Sequence, residues 1–463
     1  MRFICDTNEL NTALSIVSRA LAVRSTKPIL EGILFESCDE GLRLTCTDLA
    51  LGIETLLPAT FSEEGRAVLP GKLLCEIIRK LPGGPCDIVI GERIALTPPM
   101  GWNSWNTFGE NISEELIMGI ADAMVEKGLR DAGYEYIVID DCWPAMERVD
   151  GKLVPDPEKF PHGMKYVADY VHSKGLKFGI YSSASTRTCK GYPASFDHEF
   201  EDAKTFAEWG VDYLKYDYCY KPQSIDYQIL YRRMGLALRS CGRDIVYAAC
   251  NSLPDVHDWI RPTGAHLYRT TTDILDNIVS IRDIAYSQLD KIGLSATGCY
   301  NDIDMLVVGM YNKGNVACGG CTDDEYTMHF ALWCLLGVPL MIGCDIRNCD
   351  EHTLELLKNK ALIALDQDEE ARPPYTPNRK IEEVLLLFRH LSGGEYALGV
   401  FNFAEGSARK YINLFELGLT ANCGYGLELT GMLDDEKITV KDNFYLDLPA
   451  TSCKVYRVKL IKL

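Results

Sequence analysis

The chain has 463 residues, 47% of them apolar and 24% charged, so it is too long for one ordinary core and too apolar to remain unfolded; two or three domains are expected. A formal net charge of −19 disfavours a general polyanion binder, which meets phosphates with a basic surface, and leaves a neutral ligand such as a sugar open. The opening MRFICDTNEL lacks the apolar core and small-residue cleavage site of a secretory leader, and no apolar run reaches the roughly 18 residues of a membrane span, so a cytoplasmic protein is expected.

In chain order, residues 1–5 predict a short strand. Thr7 is then placed to cap a helix carrying Leu10, Leu14, Val17 and Leu21 at helical spacing. Strands follow at 33–38, 42–47 and 51–57, a helix at 71–80 that stops at Leu81-Pro82-Gly83-Gly84, and a strand at 87–90 with no visible partner after it. From about residue 95 the pattern alternates. Eight apolar runs, at 95–100, 134–139, 176–181, 211–216, 244–249, 265–268, 302–307 and 339–344, are separated mostly by amphipathic helices. The clearest helix, 113–129, opens on Ser113 as cap and sets Leu116, Ile120, Met124 and Val125 on one face. Eight such units in about 250 residues predict a (β/α)8 TIM barrel, an α/β fold. Beyond about residue 374 helices cease, and alternating runs at 384–388, 396–401, 408–413, 437–440 and 454–460 predict an antiparallel β-sandwich. The expected domains are therefore an α+β segment over 1–91, the barrel over 92–373 and the β domain over 374–463. The 18 cysteines are scattered. Cys318-Gly319-Gly320-Cys321 is the one close pair and has no second pair to complete a metal site, so free thiols are expected, with neither a metal nor a cofactor.

Barrel enzymes act at the C-terminal ends of their strands. Here those ends carry Asp140, Asp141 and Trp143, then Tyr181, then Lys215 and Asp217, then Arg269 with Asp273 close behind, then Asn301, Asp302 and Asp304, and finally Asp345. Carboxylates accept sugar hydroxyls, and Trp102, Trp105 or Trp143 can stack on an apolar sugar face. Glycoside hydrolysis with retention needs two carboxyls about 5–5.5 Å apart, one ionised and one protonated, which strands four and six can supply. Asp345 reads as a cap or loop residue and Asp304 as structural, because an acid after a strand more often caps than reacts.

Six stretches, LTPPMGWNSWN at 96–106, IDDCW at 139–143, FPHGM at 160–164, KFGIY at 177–181, DYLKYD at 212–217 and NDIDML at 301–306, resemble glycoside hydrolase family 27, the α-galactosidases, in the family's order. The resemblance covers about residues 93–463. It implies Asp217 as nucleophile and Asp273 as acid/base. It also implies Lys215 as a hydroxyl ligand that keeps the nucleophile ionised, Arg269 near the 2-hydroxyl, Asp140 and Asp141 on the 4- and 6-hydroxyls, and Trp105, Tyr181 and Asp302 at the substrate. Cys189 and Cys219 match a family disulfide, expected to be labile or absent in cytosol. Asn251 stands where many members carry Glu, which puts the preference at the 2-position in question, and Ile303 stands where Pro is usual. The partner implied is an α-galactoside, with α-N-acetylgalactosaminides and β-L-arabinopyranosides as rival substrates; self-association is left open.

The first ninety residues instead are similar to the first domain of the bacterial DNA polymerase III sliding clamp, through residues 1–5, 14–22, 27–33 and 69–74. A clamp needs three such domains and a basic channel. Arg19, Arg24 and Lys27 are the candidate channel residues, but the match stops near Ile90, short of that domain's last strands. DNA binding as a clamp component is the competing function. The expectation is a passenger segment without clamp activity and with an open sheet edge.

Overall fold

The computed structural model describes residues 1–22, 28–89, 94–251, 253–377, 383–419 and 424–463. It falls into two compact units, Met1–Arg93 and Ile94–Leu463.

In the first unit, strand Arg2–Asp6 runs directly into helix Thr7–Val17. The cap is Asp6, not Thr7: the Asp6 carboxylate accepts from the amides of Asn8 (2.8 Å) and Glu9 (3.3 Å), satisfying two donors of the first turn. Thr7 is already helical, and its hydroxyl donates to the Gly84 carbonyl. Leu10, Ala13, Leu14 and Val17 face a core completed by Phe3, Ile33, Phe35, Leu42 and Leu44. The strand expected at 87–90 does have a partner, but it precedes it: Pro85–Val89 pairs antiparallel with Arg2–Asp6, which takes Thr60–Glu63 on its other side. A four-stranded sheet, ordered Gly52–Leu57, Gly41–Thr47, Gly32–Cys38, Arg66–Pro70, completes the unit with helix Gly71–Ile78. Arg24, Lys27 and Ile90 lie outside the described residues.

In the second unit eight parallel strands form a ring: Met100–Asn103, Tyr136–Val138, Lys177–Ser183, Tyr213–Asp217, Val246–Ala249, Leu267–Arg269, Tyr300–Asp302 and Leu340–Ile342. Each pairs with the next through strand seven, and strand eight pairs with strand one. A parallel bridge between Leu306 and Ile342 closes the circle. Strand one begins later than the apolar run suggests, because Pro98 and Pro99 have no amide to give a ladder. Strand seven ends earlier, because Asp304 turns left-handed (φ 83°) and breaks the extension.

Outside the ring, helix Glu114–Glu126 is capped by Ser113, whose hydroxyl accepts from the Leu116 amide at 3.2 Å. Its buried face is Ile117, Ile120, Ala121 and Met124, with Leu116 and Val125 at the margin. Helix Asp323–Leu336 is buried from Met328 onward on every side, which explains its run of apolar residues without a polar face. Arg389, itself buried, donates to the carbonyls of Cys334 and Leu335 at that helix's end and to Arg372.

Two antiparallel sheets follow. One has five strands in the order Val384–His390, Tyr396–Asn402, Ser452–Lys462, Tyr425–Gly431, Lys437–Val440, and the other pairs Ala408–Ile412 with Phe444–Leu448. They share a core that includes Phe388, Leu398, Val400, Ile412, Leu429 and Leu446. Tyr425–Gly431 and Phe444–Leu448 are strands that the sequence reading did not pick out. Among the described residues no helix is long and apolar enough to cross a membrane.

Candidate active site

At the C-terminal ends of the barrel strands lies a cavity of about 480 Å³. Trp105 comes from the turn after strand one, Asp140 and Asp141 from the end of strand two, and Tyr181 from strand three. Lys215 and Asp217 come from strand four, Cys250 and Asn251 from strand five, Arg269, Thr271 and Asp273 from strand six and its loop, and Asp304 from beyond strand seven. Lys215 and Asp217 are two apart on one strand, so the pleat aims both side chains inward. Across the neighbouring strand, Tyr181 sits in register with Lys215.

The acids are held in distinct ways. Asp140 accepts from Lys215 Nζ (2.7 Å) and from Asn103 Nδ2 (2.8 Å), and its other oxygen accepts from the Asp141 amide. Asp141 accepts from the amides of Cys142 (2.7 Å) and Lys190 (3.0 Å); burial pushes its carboxyl up. Asp217 accepts from the Tyr181 hydroxyl (2.9 Å) and the Tyr218 amide (2.7 Å). Burial raises the Asp217 carboxyl, and it outweighs the downward pull of Lys215 and of those two donors. Lys215 thus binds Asp140 directly and acts on Asp217 only through its charge, a weaker hold than the one expected of it. Burial works against the Lys215 ammonium as well, yet Asp140 and Asp217 keep its pKa well above the ordinary value. Asp273 differs from all of these: its side chain is 91% exposed and accepts from Arg269 at 2.7 Å.

Arg269, buried, also pairs with Asp304, whose carboxylate accepts from the Ile274 amide. Asp304 therefore does more than brace the fold. It lines the cavity and anchors the arginine, whereas Asp302 does not line the cavity and its carboxylate accepts from the Asp304 amide. Trp102 and Trp143 are wholly buried and face no ligand: their indoles donate to the carbonyls of Cys344 and Tyr181, both at 2.8 Å. Trp143 thereby fixes the backbone of the residue that holds Asp217. Asp345 caps a short turn and pairs with Arg347, as a cap reading requires.

Four buried polar atoms on the cavity's lining residues have no protein partner: Asn106 Nδ2, Asn251 Nδ2, Arg269 Nε and Thr271 Oγ1. Buried polar groups are nearly always paired, so four orphans on one lining are unusual, yet each of these atoms is shielded from the cavity itself. Asn106 and Thr271 went unread in the sequence. The available signal was position alone, one residue after Trp105 and two after Arg269. Cys189 and Cys219 are joined by a disulfide, with Cα atoms 5.1 Å apart, beside the cavity. Among the described residues their sulfurs and Asp217 are the one cluster with the make-up of a metal site, and the sulfurs are bonded to each other.

Known proteins match this chain in two separate stretches. Residues 1–98 match the N-terminal domain of the DNA polymerase III beta subunit. Alpha-galactosidase 3 of Arabidopsis thaliana is 46% identical over 295 residues, 63% of this chain and 64% of that one. The alpha-galactosidase of Cyamopsis tetragonoloba is 48% identical over 275 residues, 59% of this chain and 64% of that one. The chain thus spans about 64% of the length of these relatives. Alpha-galactosidase I from Mortierella vinacea superposes with a TM-score of 0.73 at 32% identity, covering 80% of this chain and 98% of that one. Residues 97–368, more than half of the chain, match the family model of alpha galactosidase A, and the chain belongs to that family.

Proposed function

We propose that the barrel is a retaining α-galactosidase that removes terminal α-D-galactosyl residues by double displacement. The observation that carries this reading is the meeting of Asp217 and Asp273 in one cavity under opposite conditions, the first enclosed and accepting from two donors, the Tyr181 hydroxyl and the Tyr218 amide, the second exposed. Asp217 attacks the anomeric carbon to form a glycosyl-enzyme. Asp273 protonates the departing oxygen, then takes a proton from the water that releases the sugar. Asp140 and Asp141 accept the 4- and 6-hydroxyls, Lys215 binds between them and Asp217, and Trp105 covers an apolar face of the ring. Arg269, Asn251 and Thr271 line the cavity on the 2-hydroxyl side. Asp304 positions Arg269 in this scheme.

The relatives' printed activity and the family membership support the substrate assignment. In this reading catalysis belongs to residues 92–373, the β domain to 374–463, and residues 1–91 have no clamp activity. A cytoplasmic location is part of it. Asp217→Asn should abolish turnover. Asp273→Ala should lose far less activity on 4-nitrophenyl α-D-galactoside than on a sugar-linked galactoside, because nitrophenolate leaves without a proton. Product NMR should show the α-anomer first; first release of the β-anomer would contradict retention. In a panel of 4-nitrophenyl glycosides, the α-galactoside should exceed the α-N-acetylgalactosaminide and the β-L-arabinopyranoside by at least about tenfold in kcat/KM, about 1.4 kcal/mol in transition-state binding.

A further inference from the structure

The rim of the cavity carries two cations for which the chemistry above has no use. Lys190 directly follows Cys189, and its ammonium lies 5.6 Å from the ring centre of Trp105. Lys221 follows Cys219 by two residues, lines the cavity, and lies 5.3 Å from the ring centre of Tyr218. Both rings line the same cavity, and the Cys189–Cys219 bridge binds the two lysine-bearing loops together, with Cα atoms 5.1 Å apart. Both lysines are exposed, and among the described residues neither has a carboxylate partner. The other two cations of the cavity, Lys215 and Arg269, are by contrast each bound to an acid.

The placement is more telling for the composition around it. Acidic residues outnumber basic ones 66 to 47, so two cations gathered at one cavity run against the net charge of −19. A ring face steadies an ammonium without neutralising it and leaves its donors free. The floor of the cavity is acidic, with Asp140, Asp141 and Asp217, and suits the neutral sugar that is transferred. The leaving group departs past Asp273, which is exposed, and so lies at the rim.

We propose that Lys190 and Lys221 form a leaving-group subsite for an acidic sugar: the galactoside cleaved is one whose aglycone is a hexuronate, with its carboxylate at the two ammonium groups. The proposal rests on the galactosidase reading and adds the class of the aglycone. Such contacts are exposed, so they depend on salt.

The test compares two methyl disaccharides of identical linkage, α-D-galactosyl-glucuronate and α-D-galactosyl-glucose, which differ only in the carboxylate, by released galactose. The full chain should show kcat/KM about tenfold higher for the acidic sugar at low salt, and the ratio should shrink several-fold in 0.5 M NaCl. In the Lys190→Gln/Lys221→Gln double variant the ratio should approach one. A wild-type ratio at or below one, a ratio indifferent to salt, or a ratio unchanged in the double variant would overturn the subsite while leaving the galactosidase intact. Failure to cleave either sugar or 4-nitrophenyl α-D-galactoside would overturn both readings together.

Discussion

Replacing Tyr181 by Phe isolates one hydrogen bond. The hydroxyl donates to Asp217 at 2.9 Å, and Trp143 holds the Tyr181 carbonyl from behind, so the ring has little room to move. Phenylalanine keeps the ring 5.5 Å beneath the Lys215 ammonium and removes the hydroxyl, whose other contacts are the longer ones to the sulfurs of Cys189 (3.6 Å) and Cys219 (3.8 Å). A hydrogen bond to a charged acceptor is worth about 1.5–3 kcal/mol. One pKa unit is about 1.4 kcal/mol. The Asp217 carboxyl is already raised by burial, against the pull of Lys215, the Tyr218 amide and this hydroxyl; without the hydroxyl it should climb further, by the pH equivalent of the lost bond. A nucleophile must be ionised to attack, so the acid limb of kcat/KM moves toward higher pH by that amount and the alkaline limb stays in place. Profiles of both enzymes on 4-nitrophenyl α-D-galactoside between about pH 3 and 8 would show it. An acid limb that does not move, in a variant that still turns over, would refute the assignment of that limb to Asp217. A uniform loss at every pH would mean that the hydroxyl serves some purpose other than holding the charge.

Other expectations are of stability. His329 is wholly buried, and burial lowers its pKa from 6.5 to about 3; burial and then Arg239 lower His266 to about 4. The unfolded chain takes up these protons as pH falls through 6.5 and the folded chain does not, so stability present above pH 6.5 is lost below it. The loss is about 2 kcal/mol per histidine by pH 5, read as a lower urea midpoint than at pH 7, and a His329→Gln variant should have a flatter dependence. Asp304→Ala leaves the buried Arg269 cation with the exposed Asp273 as its one carboxylate partner and should cost up to about 3–5 kcal/mol in denaturant unfolding; a loss under about 1 kcal/mol would show that Asp273 and water suffice for the arginine. Cys189→Ser opens a loop with a sequence separation of 30 and should cost about 3–4 kcal/mol by loop-closure entropy. A variant melting with the wild type would show that the loops are held without the bridge.

The barrel was legible because its central strands are buried on both faces and read as unbroken apolar runs, as at Tyr136–Val138 and Val246–Ala249. Strands one and seven were displaced where local stereochemistry overrode hydropathy, at Pro98-Pro99 and at Asp304. The missed β strands have their own causes: Tyr425–Gly431 has glycine at its second and last positions, which reads as turn, and Phe444–Leu448 follows closely on a polar turn. In the cavity, acids at strand ends were readable because a strand aims alternate side chains predictably. Thr271 and Asn106 were not, because the first lies in a loop and the second in the single-turn helix Trp105–Phe108, and tertiary contacts set the path of both. The exchange of Asp302 for Asp304 has the same origin: one left-handed residue re-aims everything after it. Trp143 stood open between stacking on a ligand and packing in the core because an indole at a strand end is equally suited to either side of the wall.

The ring closes unevenly, and this has a consequence for motion. Strands three and four share five paired positions, whereas strands seven and eight meet through one bridge, made by the Leu306 amide to the Met341 carbonyl (2.8 Å) and the Gly343 amide to the Leu306 carbonyl (3.1 Å). Breathing of the barrel should therefore begin at that seam, and those two amides should exchange with solvent ahead of any ladder amide between strands three and four. Asp304 lies two residues before Leu306, so each opening would loosen Arg269's anchor before disturbing Asp140 or Lys215, making the hinge of the cylinder also the slack side of its pocket.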